Sequence, residues 1–111
     1  MRNSSANGRR SRRKGHNFER EVAIRFREVG FSDARRHLEY QDEEANGVDL
    51  INTGCYRVQC KKLRKYAPIT AIEEVTADEF LGEVPVLVTA GDNQRPVAVL
   101  PLEEFLRLIS T

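Results

Sequence analysis

The stretch Gly47–Lys62, GVDLINTGCYRVQCKK, decides the fold of this chain because it predicts two short strands joined by a turn. The strands are Val48–Asn52 and Cys55–Lys61, and the turn between them contains Gly54. Successive side chains of a strand point to opposite faces. The second strand therefore has a polar face, with Cys55, Arg57, Gln59 and Lys61, and an apolar face, with Tyr56, Val58 and Cys60.

A single carboxylate, Asp49, stands in the apolar run of the first strand. Paired with Gln59 and Lys61 of the next strand, it could gather a carboxylate, an amide oxygen and an ammonium group around one point. This combination suits a divalent metal. The alternative is that Asp49 and Lys61 only solvate the edge of a sheet, which charged residues commonly do.

Length and cysteine content limit which class of protein this can be. A chain of 111 residues fits one domain with one core. The two cysteines lie on opposite faces of one strand, which predicts free thiols and a reducing compartment. No apolar run approaches the ~18 residues that span a membrane, so we expect a cytoplasmic protein. With two histidines and no CxxC pair, a structural zinc site is not expected.

The positive charge is concentrated at the N-terminus. The net charge is +1, but residues 1–17 hold six basic side chains and no acid. We predict a disordered basic arm over residues 1–14 and a single folded domain over residues 15–111. Such an arm binds nucleic-acid phosphates; alternatively, it only aids solubility. The arm residues concerned are Arg9, Arg10, Arg12, Arg13 and Lys14, and a second basic cluster comprises Arg57, Lys61, Lys62, Arg64 and Lys65.

A helix is predicted from His16 to Val29, with Asn17 as its N-cap and Gly30 at its stop. Its buried stripe consists of Phe18, Val22, Phe26 and Val29. At about 100° per residue, Glu19 lies beside this stripe. Glu19 therefore either faces inward or complements the helix dipole in the first turn.

The remaining elements complete an α/β pattern. A strand is predicted near Asp33–Leu38, a helix from Thr70 to about Phe80, strands at Val84–Thr89 and Val97–Leu100, and a final helix from Pro101. The order is α-β-β-β-α-β-β-α, a mixed sheet flanked by helices. The acids Asp42, Glu43 and Glu44 are interpreted as a solvated loop, and His37 as a surface or packing residue.

Several segments, in this order, resemble the archaeal Holliday-junction resolvase family of the PD-(D/E)xK nuclease superfamily. They are KGHNFEREVAIRFREVGF, RR, GVDL, VQCKK, VPVLVTA and VAVLPLEEF, within residues 14–107. Phage-encoded resolvases and Mrr-type restriction endonucleases share this core. The resemblance implies a restriction-endonuclease-like fold and a homodimer that cuts DNA, most simply a four-way junction.

The resemblance also implies roles for individual residues. Asp49, Gln59, Glu19 and the carbonyl of Cys60 would bind Mg²⁺, for which Mn²⁺ would substitute, and Lys61 would assist the attacking water. Arg20 and Arg35, or Arg36 if the register slips by one, would hold flanking phosphates. The basic residues Arg9, Arg10, Arg12, Arg13, Lys14, Lys62, Arg64 and Lys65 would also bind DNA.

Gln59 departs from the pattern of this family, because these resolvases usually carry Glu at that position. An amide oxygen can ligate Mg²⁺ without adding charge, and Mrr-type enzymes resemble this chain in carrying Gln. A duplex endonuclease of the Mrr type, a catalytically silent DNA-binding module and a protein-interaction module therefore remain alternatives.

Overall fold

A computed structural model describes residues 4–38 and 48–110 of the chain. The order of elements is a long helix, three strands, a region of short 3-10 helices, two strands and a final helix. They are α1 Ser4–Glu28, β1 Arg35–Arg36, β2 Leu50–Ile51, β3 Tyr56–Lys62, 3-10 helices Ile69–Glu74 and Glu79–Leu81, β4 Val84–Ala90, β5 Val97–Val99 and α2 Leu102–Ile109. The predicted mixed α/β architecture is confirmed.

The strands form two sheets. β1 and β2 pair antiparallel, with Arg36 opposite Leu50. In the larger sheet β4 is central, parallel to β3 and antiparallel to β5. The predicted turn before β3 is present, and Tyr56 N–H donates to Thr53 O within it at 3.2 Å. It brings the two strand segments side by side, where Asp49 N–H donates to Val58 O at 2.9 Å.

The larger sheet is covered on both faces, which explains why β4 is an almost continuous apolar run. One face packs on α1, where Phe18, Val22 and Ala23 meet Val58 and the even-numbered residues of β4. The other face packs Leu87 against the 3-10 region, through Ala67, Ala71 and Val75. The predicted apolar face of β3 is confirmed, because Tyr56 and Cys60 also pack on the α1 side.

α1 differs from the prediction at both ends. It begins at Ser4 rather than near Asn17, so residues predicted as a disordered arm are helical from Ser4 onward. Arginine, lysine and alanine in this segment are strong helix formers. Asn17 does not cap the helix; its Oδ1 accepts from Arg20 at 2.8 Å. Val29 is 75 % exposed, not buried, because the helix ends at Glu28, before Gly30 at φ 115°.

The predicted helix from Thr70 to Phe80 is wrong. Two 3-10 helices replace it, separated by the extended and buried Val75. The first begins after Pro68 rather than at Thr70, and no side chain caps it. The segment is also rich in β-branched residues, which disfavour an α-helix.

The final helix forms where predicted, directly after Pro101, but contributes no buried residue to the core. Its apolar residues are exposed: Leu102, Phe105, Leu106, Leu108 and Ile109. Throughout the described part of the chain, we find no helix both long and apolar enough to traverse a lipid bilayer.

Candidate functional site

Asp49 lies where the two sheets meet. Its main chain is fixed on both sides, since its N–H donates to Val58 O at 2.9 Å and its carbonyl accepts from His37 N–H at 2.8 Å. Its side chain is half-buried, and Oδ2 accepts a 2.7 Å hydrogen bond from Cys60 N–H. Cys60 separates Gln59 from Lys61 on β3. The strand pairing therefore places the carboxylate beside the segment predicted to share its site.

Glu19 reaches the same region from α1. It follows the buried Phe18, and its Oε2 accepts from Arg36 Nε at 3.1 Å. Both side chains of this ion pair are 15 % exposed. Of the two interpretations of Glu19, the inward-facing one is therefore observed. The arginine that meets it is Arg36 rather than Arg35, which is exposed.

The pKa values of both carboxyl groups are raised, chiefly by burial. The pKa of Glu19 is raised first by burial and then by the Asp49 carboxylate, while Arg36 opposes the change. The pKa of Asp49 is raised by burial, against the lowering effects of the Cys60 hydrogen bond and of Lys61. Each charge is thus costly in the fold. A cation placed between the two carboxylates would stabilise both ionised forms.

Cys60 has its side chain in the core and its main chain at the site. Burial, followed by the charges of Asp49 and Glu19, raises the pKa of its thiol. The thiol therefore stays protonated and is no nucleophile. Because the N–H and C=O of a strand residue point to the same side, the Cys60 carbonyl lies on the side of Asp49.

Gln59 holds a polar atom that the described residues leave without a partner. Its Oε1 is buried and accepts no hydrogen bond from any of them. An unpaired buried polar group is costly and asks for an explanation, such as an ion. An amide oxygen is of the ligand type that Mg²⁺ accepts, as are the carboxylate oxygens of Asp49 and Glu19.

The candidate metal ligands Asp49, Glu19, Gln59 and the Cys60 carbonyl include two carboxylates, those of Asp49 and Glu19. Among residues 4–38 and 48–110, no three His, Cys, Asp or Glu side chains come together as a metal group. Gln59, on β3 next to Cys60, contributes an amide oxygen and no carboxylate. The acids Asp42, Glu43 and Glu44 of the predicted loop lie outside the described residues.

Lys61 has a partner that the sequence did not indicate. Its Nζ donates to Glu74 Oε2 at 2.7 Å, a residue of the first 3-10 helix. Lys61 is also close enough to lower the pKa of Asp49. The ammonium group thus lies between the candidate site and an exposed carboxylate. Nothing in the sequence connects Glu74 with Lys61, since Glu74 lies in a segment predicted as a separate helix.

His37 and His16 also lie nearby. The positive form of His37 would lower the pKa of Asp49, and that of His16 would lower the pKa of Glu19. The spacing of these histidines gave no indication of this arrangement. His37 also donates its main-chain N–H to Asp49, which is consistent with its predicted packing role.

The predicted phosphate-binding residues are distributed over a wider surface. Arg20 is exposed and contacts Asn17 within α1. Lys62 donates to Gly91 O at 3.0 Å, and Lys14 pairs with Asp92. Arg57 is turned toward Thr76 O and Glu83. The other basic residues are exposed: Arg9, Arg10, Arg12, Arg13, Arg35, Arg64 and Lys65.

Comparisons of this chain with protein-family models, with curated proteins and with solved structures find no match.

Proposed function

We propose that the protein is a metal-dependent DNA endonuclease that hydrolyses phosphodiester bonds, with a four-way junction as its preferred substrate. One observation carries the proposal: two half-buried carboxylates, Asp49 and Glu19, lie together beside a strand that presents the unpaired Gln59 oxygen. A restriction-endonuclease-like core and the family resemblance are parts of the same proposal. The mixed sheet, with Asp49 placed just before a short strand and Gln59 and Lys61 on its neighbour, supports them.

Asp49, Glu19, Gln59 and the Cys60 carbonyl would hold Mg²⁺ or Mn²⁺. The ion would supply positive charge to the scissile phosphate and a more acidic water. Arg36 favours the ionised form of Glu19 and orients its carboxylate, and Cys60 N–H fixes one oxygen of Asp49. These two contacts hold the ligand side chains in place before substrate arrives, which reduces the entropy lost on binding.

Lys61 would orient the attacking water and stabilise charge on the phosphate oxygens. For this role its ammonium group exchanges Glu74 for the substrate. Since Glu74 is 59 % exposed, the exchange requires little energy. Arg35 and Arg20, both exposed, are available for flanking phosphates.

A two-fold dimer belongs to the proposal, since two sites facing one junction give paired nicks. The exposed apolar side of α2 supports a role for this helix in association. Because Phe105 and Leu106 are about half exposed in the single chain, they are the residues to substitute in a test of dimer formation.

A silent DNA-binding module is the second candidate. Two observations favour it: Gln59 leaves the group with two carboxylates, and Lys61 is engaged by Glu74. In this case the basic residues alone would bind DNA and no bond would be cut.

The deciding experiment compares a labelled four-way junction with a linear duplex of the same sequence, in Mg²⁺, Mn²⁺ and EDTA. Asp49→Asn is the control variant, because its amide oxygen can still accept from Cys60. Symmetric nicks in the junction alone, lost in EDTA and in the variant, support a resolvase. Cutting of both DNAs favours a duplex endonuclease of the Mrr type. Binding without cutting in either metal supports the silent module.

A further inference from the structure

Two basic stretches that are far apart in sequence meet at one groove. The middle of α1 forms one side of the groove, and the end of β3 contributes to the other. Its volume is about 370 Å³, and its lining residues are Arg10, Arg13, Lys14, Asn17, Phe18, Glu21 and Lys62. Four of these seven side chains are cationic and one is acidic, so the groove is positively charged.

The charge of Lys62 is held in a fixed position within the groove. Its Nζ donates to Gly91 O at 3.0 Å and lies 5.8 Å from the centre of the Phe18 ring. Phe18 belongs to the core and is 4 % exposed. Both contacts place an ammonium group at the edge of the core, where its position varies less than that of a free surface lysine.

Asp92 adds an anion to this surface. Its carboxylate pairs with Lys14 at 2.5 Å, and its N–H donates to Arg64 O at 3.0 Å. The pKa of Asp92 is lowered by the hydrogen bond from Lys14 and by the charges of Lys14, Lys62 and Arg64. One carboxylate therefore faces three cations contributed by two separate parts of the chain.

The turn that presents Asp92 is closely packed. Gly91 is buried, and a Cβ on it would lie 2.8 Å from Lys65 Cα. Asp92 itself is 47 % exposed on its side chain, and Lys14 is 38 % exposed. The backbone position is thus fixed, while the ion pair stays open to water and to a competing anion.

The groove is separate from the candidate metal site. At about 100° per residue, Arg10, Lys14 and Glu21 lie on roughly the opposite side of α1 from Glu19. The groove therefore lies on a different side of α1 from the carboxylate proposed to hold the metal.

We propose that this groove binds the phosphate backbone of a nucleic acid and that Asp92, which pairs with the groove residue Lys14, is an anion that a phosphate displaces from that lysine. The proposal rests on the proposed function for its choice of polyanion. The groove would be a DNA-binding surface remote from the metal site. Asp92 would weaken the binding of DNA to the groove. Removing the Asp92 charge leaves Lys14, Lys62 and Arg64 available to phosphate.

The experiment measures binding of a fluorescent DNA duplex by anisotropy in EDTA, where no cutting interferes. Asp92→Asn should tighten binding about two- to fivefold at low salt, the scale of an exposed ion pair. The matched control is Glu73→Gln, which removes the same charge from an exposed residue of the first 3-10 helix. The gain should shrink above about 0.15 M salt, because exposed charges are then screened.

A double-mutant cycle tests the contact itself. In a Lys14→Ala background, Asp92→Asn should give less than half of its effect in the wild type, since the cation it releases is gone. Equal gains for Asp92→Asn and Glu73→Gln would overturn the proposal, because net charge alone would explain them. An undiminished gain in the Lys14→Ala background would overturn it as well.

The two proposals fail in different ways. If the predicted binding pattern is observed but neither metal supports cutting of any DNA, the groove stands and the nuclease fails. If DNA is cut while Asp92→Asn behaves like Glu73→Gln, the nuclease stands and the groove fails. If the protein binds no DNA in EDTA or in metal, both are overturned.

Discussion

Arg36 donates from Nε to Glu19 Oε2 at 3.1 Å and so joins β1 to α1 at the candidate site. The contact has two consequences. It satisfies a carboxylate that packing has largely removed from water, and it lowers the pKa of Glu19 against the effect of burial. Arg36 is therefore a positioning residue for Glu19, whereas the exposed Arg35 has no such role.

Arg36→Gln should lower the free energy of unfolding by about 1–2 kcal/mol, because it leaves Glu19 without its charged partner. Arg35→Gln, the matched control on the same strand, should change it by less than about 0.5 kcal/mol. Urea denaturation monitored by circular dichroism measures both. Equal losses in the two variants would contradict the assignment of Arg36 to Glu19.

Asp49→Asn should stabilise the metal-free protein at neutral pH. The ordinary pKa values are 3.8 for Asp49 and 4.5 for Glu19, and both are raised in the fold. The folded state therefore holds protons to higher pH than the unfolded state. Stability is highest below the ordinary values, falls as pH rises through the raised ones and stays low above them. The variant removes one of these two costs.

In EDTA at pH 7.5, the Tm of Asp49→Asn should exceed that of the wild type by roughly 2–4 °C. The difference should disappear near pH 3, where Asp49 is protonated. Mg²⁺ should raise the Tm of the wild type and not that of the variant, because a ligand stabilises the state that binds it. Asp33→Asn, at an exposed position, serves as the control. A variant less stable than the wild type in EDTA at pH 7.5 would refute the electrostatic argument.

The alternation of apolar and polar side chains along β3 and the position of Asp49 beside this strand could be predicted. Both depend on the local sequence pattern. Tyr56 and Val58 face α1 as a period of two requires, and Asp49 stands beside β3 because a short turn joins the two segments. The angle of Glu19 from the buried helical stripe made an inward-facing side chain one of two possibilities. These inferences need only one element at a time.

Contacts between distant elements could not be predicted. Whether Arg35 or Arg36 meets Glu19 depends on the register of β1 against α1, and strand β1 is only two residues long. The ion pairs of Lys61 with Glu74 and of Lys14 with Asp92 depend on tertiary packing. Glu74 belongs to a 3-10 helix and Asp92 to a turn, and the sequence does not show where either lies relative to its partner. The residues from Thr70 to Phe80 have the spacing of a helix, but burial of Val75 in an extended conformation outweighs that pattern.

Gln59→Glu should increase metal affinity, because it adds a third carboxylate at the unpaired buried oxygen. We expect half-maximal Mn²⁺ binding at a roughly tenfold lower concentration, measured by calorimetry. In EDTA the same variant should have a lower Tm, since another charge is buried beside Asp49. Gln59→Met is the size-matched control that removes the oxygen, and it should weaken metal binding. Unchanged Mn²⁺ affinity in both variants would show that Gln59 is not a ligand.

Lys61 and Glu74 form an ion pair whose two members should behave differently on substitution. Because Glu74 is more than half exposed, Glu74→Gln should cost at most about 0.5 kcal/mol of stability. It should also leave DNA cleavage within about threefold of the wild type, since the lysine is released rather than lost. Lys61→Ala should fold equally well but lose at least about 100-fold in kcat.

Single-turnover cleavage at saturating Mg²⁺ separates these expectations from an effect on metal binding. Lys61 lowers the pKa of Asp49, so Lys61→Ala should also move the acid limb of the pH profile to higher pH, whereas Glu74→Gln should not. The direction follows because removing a nearby positive charge makes the Asp49 carboxylate harder to form. Equal losses of kcat in both variants would mean that the ion pair itself supports the site. Lys61 would then be a structural residue, not a catalytic one.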